Sequence, residues 1–119
     1  MNLLTKSDLK KLQMQDPYFS KGSQKEIPSS ELKVLAKFFT PDAGWTWYAC
    51  SASKDEETGD IQFFGLVDGI EIELGYFWLS QLKEARGPYG LPVERDLHWS
   101  NNSKKEITLD ELMIELGVG

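Results

Sequence analysis

The sequence has one cysteine, Cys50, one histidine, His98, and no apolar run longer than a few residues. A lone cysteine makes no intramolecular disulfide, which excludes the frameworks that staple small secreted domains. It also excludes a Cys-Cys-His type of zinc site, because the ligands are missing. A membrane-crossing helix needs about 20 apolar residues, and none is present. The opening MNLLTKSDLKKLQ lacks the apolar core of a signal peptide, at least about seven residues long. These absences place the expected location in the reducing cytoplasm, away from membranes.

Other motifs are missing as well. Gly65, Gly69, Gly75, Gly87 and Gly90 fall into neither the GxGxxG nor the P-loop spacing. The stretch GPYGLP lacks the Lys and Ser/Thr that phosphate binding requires. These glycines read as turn and bulge positions. No GxSxG elbow accompanies the single histidine. No cofactor is expected. Basic residues are in the minority, 13 against 19 acidic ones, for a net charge of −6. That argues against broad phosphate-backbone binding, which needs a basic field. The lysines do concentrate early, at Lys6, Lys10, Lys11, Lys21, Lys25, Lys33 and Lys37.

What is present describes one domain over residues 3–116, with a polar connection at 15–30 (QDPYFSKGSQKEIPSS) inside it. At 119 residues the chain can bury roughly two thirds of its unfolded surface. Residues 5–15 predict a short helix with Thr5 or Ser7 as cap and Leu9 and Leu12 on one face. ELKVLAKFF (31–39) alternates Leu32, Val34, Ala36 and Phe38 against charged residues, a strand pattern. WTWYACSA (45–52) and IQFFGLV (61–67) are further strands. Asp68-Gly69 then joins the latter to IEIELGYFW (70–78), a strong signal for a two-residue type I′ hairpin. That register pairs Val67 with Ile70, Gly65 with Ile72, Phe63 with Leu74 and Ile61 with Tyr76. LSQLKEARG (79–87) suggests a short helix, and VERDLHW (93–99) a last strand. TLDELMIELG closes the chain with a Thr108/Glu111 capping box, an apolar stripe at Leu109, Leu112, Met113 and Leu116, and a Gly117 stop. The fold class expected is α+β: an antiparallel β-meander of four to five strands packed against short helices, including N- and C-terminal ones.

The stretches FFTPDAGWTWYA (38–49), FFGLVDGIEIELGYFWLSQL (63–82) and RGPYGLPVERDLHW (86–99), with the opening LLTKSDLKKL, resemble an uncharacterised bacterial family, the domain of unknown function 2958. That family is common on plasmids and conjugative elements. The resemblance implies a cytosolic single-domain protein of mobile-element origin. It carries over no activity, substrate or catalytic residue.

The chemistry-bearing cluster is Glu94, Arg95, Asp96 and His98. On a strand, Glu94, Asp96 and His98 share one face, and Val93, Arg95, Leu97 and Trp99 the other. Two carboxylates and an imidazole could ligate a metal or work as base and orienter. The spacing is far less specific than HExxH, and a solvated strand face is the plainer reading. Arg95 falls among apolar neighbours and so needs a carboxylate, with Glu71, Glu73, Glu94 and Asp96 as candidates. Trp45 and Trp47 share one face and Tyr48 takes the other, so the aromatics do not make one stacking platform. Cys50 lies in a strand with no basic residue beside it and reads as an inert buried thiol. With no catalytic motif, the reading is a non-enzymatic accessory domain that binds another protein. The alternatives are a metal-binding or hydrolytic enzyme on Glu94/Asp96/His98, and a nucleic-acid role through the early lysines or acidic mimicry of DNA.

Overall fold

The structure is a computed structural model that describes residues 3–16, 27–97, 99 and 107–118. The order is α1 (Lys6–Met14), β1 (Ala36–Phe39), β2 (Thr46–Lys54), β3 (Ile61–Asp68), β4 (Ile72–Trp78), α2 (Leu79–Glu84), β5 (Glu94–Arg95) and α3 (Leu109–Glu115). The strands form one antiparallel sheet in the order β4-β3-β2-β1-β5. Strands β1 to β4 are the expected meander. The chain then returns through α2 to lay β5 along the free side of β1. The expected α+β class is what the structure has.

Both terminal helices start and stop where their sequences direct. Thr5 caps α1 in a capping box with Asp8, and Leu12 is fully buried beneath it. Thr108 and Glu111 do the same for α3. At its other end the Gly117 and Val118 amides donate to the Ile114 and Met113 carbonyls, with Gly117 at a φ of 77°. That is a Schellman stop, and it needs a residue tolerant of left-handed backbone.

The sheet separates two apolar layers. Leu3, Leu12, Ala36, Phe38, Ala49, Ala52, Ile61, Phe63, Phe77, Leu82 and Val93 form one, under α1 and α2. Leu32, Val34, Tyr48, Cys50, Leu66, Leu109 and Leu112 form the other, under α3. The strand expected over 31–39 is therefore corrected: only Ala36–Phe39 pairs as a strand. All four alternating apolar residues are buried, but Leu32 and Val34 pack in the α3 layer and Ala36 and Phe38 in the opposite one. The reason is that Leu32–Val34 pairs with the segment leading into α3. The Val34 amide donates to the Ile107 carbonyl (2.9 Å), and the Leu109 amide to the Leu32 carbonyl (2.7 Å).

The same contact shortens the last strand. Among the described residues of 93–99 only Glu94–Arg95 is β, opposite Phe39 and Phe38, with one further bond from the Asp96 amide to the Lys37 carbonyl. A longer strand would need the edge at Leu32–Val34 that Ile107–Leu109 already occupies.

The hairpin register is the largest correction. β3 and β4 are adjacent antiparallel strands, but Phe63 faces Phe77, Phe64 faces Tyr76, Leu66 faces Leu74 and Asp68 faces Ile72. The loop is Gly69-Ile70-Glu71, and Gly69 does not adopt the positive φ that a type I′ turn requires. Gly69 is needed for room instead: a Cβ there would lie 2.3 Å from the Trp45 ring. Cross-strand aromatic pairing decides the register, with ring centroids 5.2 Å apart for Phe63–Phe77 and 5.3 Å for Phe64–Tyr76. In consequence Phe63 is buried as expected, while Leu74 is on the other face and 49 % exposed.

Candidate functional site

The α3 side of the sheet is only partly covered. Between the C-terminal end of α1, residues 27–32, Leu109 and the strands lies a cleft of about 640 Å³. Its floor is the face of β2, β3 and β4 that carries Ser51, Ser53, Gln62, Phe64, Leu74 and Tyr76. Tyr76 is 69 % exposed. The cleft is thus an apolar strip from β3 and β4 flanked by neutral hydroxyl and amide groups from β2 and β3, with Asp16 the one charged residue among the described residues that line it. Such a lining suits recognition by shape and hydrogen bonding more than by charge.

A bulge in β2 and the amide of Gln15 hold this floor in place. The β2–β3 register shifts between Ala49 and Ser51, so Cys50 is an extra residue without a partner on β3. Because β1 begins to pair only at Ala36, opposite Ala49, the far half of β2 has no β1 partner either. The Gln15 side chain fills the gap: its Nε2 donates to the carbonyls of Cys50 (2.6 Å) and Lys33 (2.8 Å), and its Oε1 accepts from the Lys33 amide (3.0 Å). One side chain at the end of α1 therefore ties the helix, the approach to β1 and the bulge together. The Cys50 thiol is fully buried, and burial pushes its pKa up to about 12. It is expected to resist a disulfide reagent at pH 8 in the native protein and to react at once in denaturant. Rapid reaction of folded protein would contradict that burial.

The sequence cluster divides. Arg95 is 6 % exposed and finds a carboxylate, but none of those expected. Its Nη1 lies 2.8 Å from Oδ2 of Asp8 on α1 and donates to the Leu3 carbonyl (3.3 Å), and its guanidinium lies 5.7 Å from the centre of the Phe38 ring. Glu73 is out of reach because β4 and β5 are opposite edges of the sheet. Burial alone would raise the Asp8 pKa; the hydrogen bond from Arg95, those from Thr5 and the guanidinium charge outweigh it and leave it lowered. Asp96 lies 3.7 Å from Lys37 Nζ, which sits over the Tyr48 and Trp99 rings. Burial first, then the carboxylates of Asp68, Glu115 and Asp96, raises the Tyr48 pKa. Glu94 is half-buried at a second, smaller hollow beside Leu3, Pro41 and Arg86. His98 lies outside the described residues. Arg95 thus belongs to the α1 contact, and Asp96 to a contact with Lys37.

Sequence reasoning missed Leu74, Tyr76 and the cleft because it gave the Asp-Gly corner priority over the dipeptides beside it. Phe63-Phe64 and Tyr76-Phe77, read in opposite directions, superimpose ring on ring, and that alone fixes the observed register.

No match was found among curated proteins or among solved structures. The sequence model of the family described as "Protein of unknown function (DUF2958)" matches residues 3–109, from the residue ahead of Leu4 to the first residue of α3. The chain belongs to that family.

Proposed function

We propose that this protein is a non-enzymatic interaction domain that holds another protein against the β3–β4 face of its sheet. The supporting observation is the cleft beside Leu74 and Tyr76: an apolar floor left exposed in a domain whose other sheet face is closed by two helices. Apolar patches of this kind, rimmed by polar groups, mark surfaces used for association. The setting we assign is the bacterial cytoplasm and the machinery of mobile elements, on the strength of the family resemblance. Neither metal chemistry on Glu94, Asp96 and His98 nor nucleic-acid binding has an observation of comparable weight.

The test is site-specific. Photoreactive p-benzoyl-phenylalanine in place of Tyr76 should yield discrete protein adducts in cells that make the protein. The same residue in place of Tyr89, more exposed still but on the connection after α2, should not. Matching adduct patterns from the two positions would remove the β3–β4 face from consideration.

A further inference from the structure

The two edges of the sheet are built differently. β5 is two residues long, follows Pro92 and carries Arg95 turned into the protein. Short strands, prolines and inward-turned charges are the usual means of closing an edge to further pairing. β4 has none of them. It runs for seven residues, Ile72–Trp78, without proline or lysine, and pairs with β3 without a bulge. Among the described residues no strand or isolated bridge lies on its outer side; beyond β3 its backbone enters no hydrogen bond but one at its last residue, where the Trp78 amide donates to Gln81 Oε1 (2.9 Å). Its main-chain groups form an open row, the template on which an extended segment adds.

The side chains narrow what can add. On the cleft side, Leu74 and Tyr76 stand exposed at every second position, so an added strand would find apolar neighbours there. On the reverse side Glu73 is exposed, with Glu71 exposed just before the strand, and neither meets a cation among the described residues. The chain as a whole carries −6. A second copy is disfavoured, because pairing β4 with its own image brings these glutamates and two acidic chains together without a cation between them.

We propose that the outer edge of β4 takes up an extended segment of another protein as an added strand, with apolar side chains on the cleft side and Lys or Arg on the side of Glu71 and Glu73. This rests on the β3–β4 face being the interaction face. The apolar positions of the segment lie beside Leu74 and Tyr76 and continue the floor of the cleft past the sheet edge. The basic positions make exposed ion pairs that set register and orientation more than strength.

The probe is an acetylated peptide of about nine residues, a strand's length, alternating valine and lysine. It is titrated into isotope-labelled full-length protein and followed by amide shifts and hydrogen exchange. Matched peptides carry glutamate for lysine, N-methyl groups on the valines, or N-methyl groups on the lysines. The expected result is slowed exchange along Ile72–Trp78, binding about tenfold weaker for the glutamate peptide, and loss of binding for one N-methyl set but not the other, since alternate amides face the edge. Glu73→Lys, at an exposed position, should reverse the charge preference without harming the fold. Shifts confined to the Leu109 and Ile27 side of the cleft, with exchange along β4 unchanged, would overturn edge addition while leaving the interaction face intact. No shift on either side overturns both. Equal binding of the lysine and glutamate peptides overturns the basic partner.

Discussion

Asp8→Asn is expected to destabilise the protein by about 3–5 kcal/mol, seen as a lower urea midpoint at an unchanged slope. Most of that cost does not come from the ion pair as an attraction. It comes from Arg95, which stays buried against Phe38 once its carboxylate is gone. Asparagine is the informative substitution, because its amide oxygen can still accept from the Thr5 amide, as Asp8 Oδ2 does at 3.1 Å. The helix start is thereby preserved and the charge alone removed. Adding Arg95→Met should recover most of the loss, since methionine fills a guanidinium-sized space without needing a partner. A single variant that loses less than about 1 kcal/mol would show that Arg95 escapes to water, as exposed pairs do.

The same pair sets part of the acid limit. Asp8 has a folded pKa below its unfolded one. Its contribution is therefore fully present above the unfolded value, about 3.9, and is lost as the pH falls through the folded one. Asp60 acts in the same direction. Slight desolvation raises its pKa, but bonds from the Ser80 hydroxyl and the Ile61 and Ser80 amides lower it further. Stability should thus decline below about pH 4 in both wild type and Asp8→Asn, more steeply in the wild type. Parallel acid-unfolding curves would mean that Asp8 titrates as it does in the unfolded chain.

How far the fold was legible follows from which signals are local. The cap at Thr5 (one of the two residues, with Ser7, that the sequence offers), the capping box at Thr108 and the stop at Gly117 involve residues within one helical turn, and all three are found in the structure. The meander was legible because β1 to β4 are joined by short turns. What failed was non-local. Arg95 had to find a carboxylate, but that this would be Asp8, 87 positions away, depends on α1 packing on the sheet within reach of the Arg95 side chain. The limits of β1 and β5 depend on Ile107–Leu109 taking the edge that either could have extended along. The Asp-Gly corner misled because its reading assumes that the turn chooses the strands' register; here two aromatic pairs chose it, and the turn adapted. That error also hides the cleft, since the two-residue register puts Leu74 and Tyr76 on the face of Phe63 and Ile61, which is buried. The Glu94/Asp96/His98 grouping assumed a strand long enough to alternate through His98, whereas β5 ends at Arg95.

Gly65→Ala and Gly75→Ala should part company by more than any other pair of like substitutions in the sheet. The two glycines face each other across β3 and β4. A Cβ on Gly65 would lie 1.8 Å from the Tyr48 carbonyl oxygen and 2.9 Å from its carbon, whereas one on Gly75 meets nothing within 4 Å. The obstacle at Gly65 is backbone, which cannot rotate aside, so β2 must shift or the bulge at Cys50 must be rebuilt. We expect a loss of about 2–4 kcal/mol for Gly65→Ala, the upper range of overpacking, and for Gly75→Ala a slight gain from the smaller backbone entropy lost on folding. The damage should also reach the Cys50 carbonyl that Gln15 holds, two residues from the clash. Thiol reactivity of the folded variant should therefore rise while Gly75→Ala stays inert. If both variants melt together and both keep the thiol closed, β2 and β3 do not approach as closely as the bulge requires, and the floor of the cleft built on that approach is not rigid.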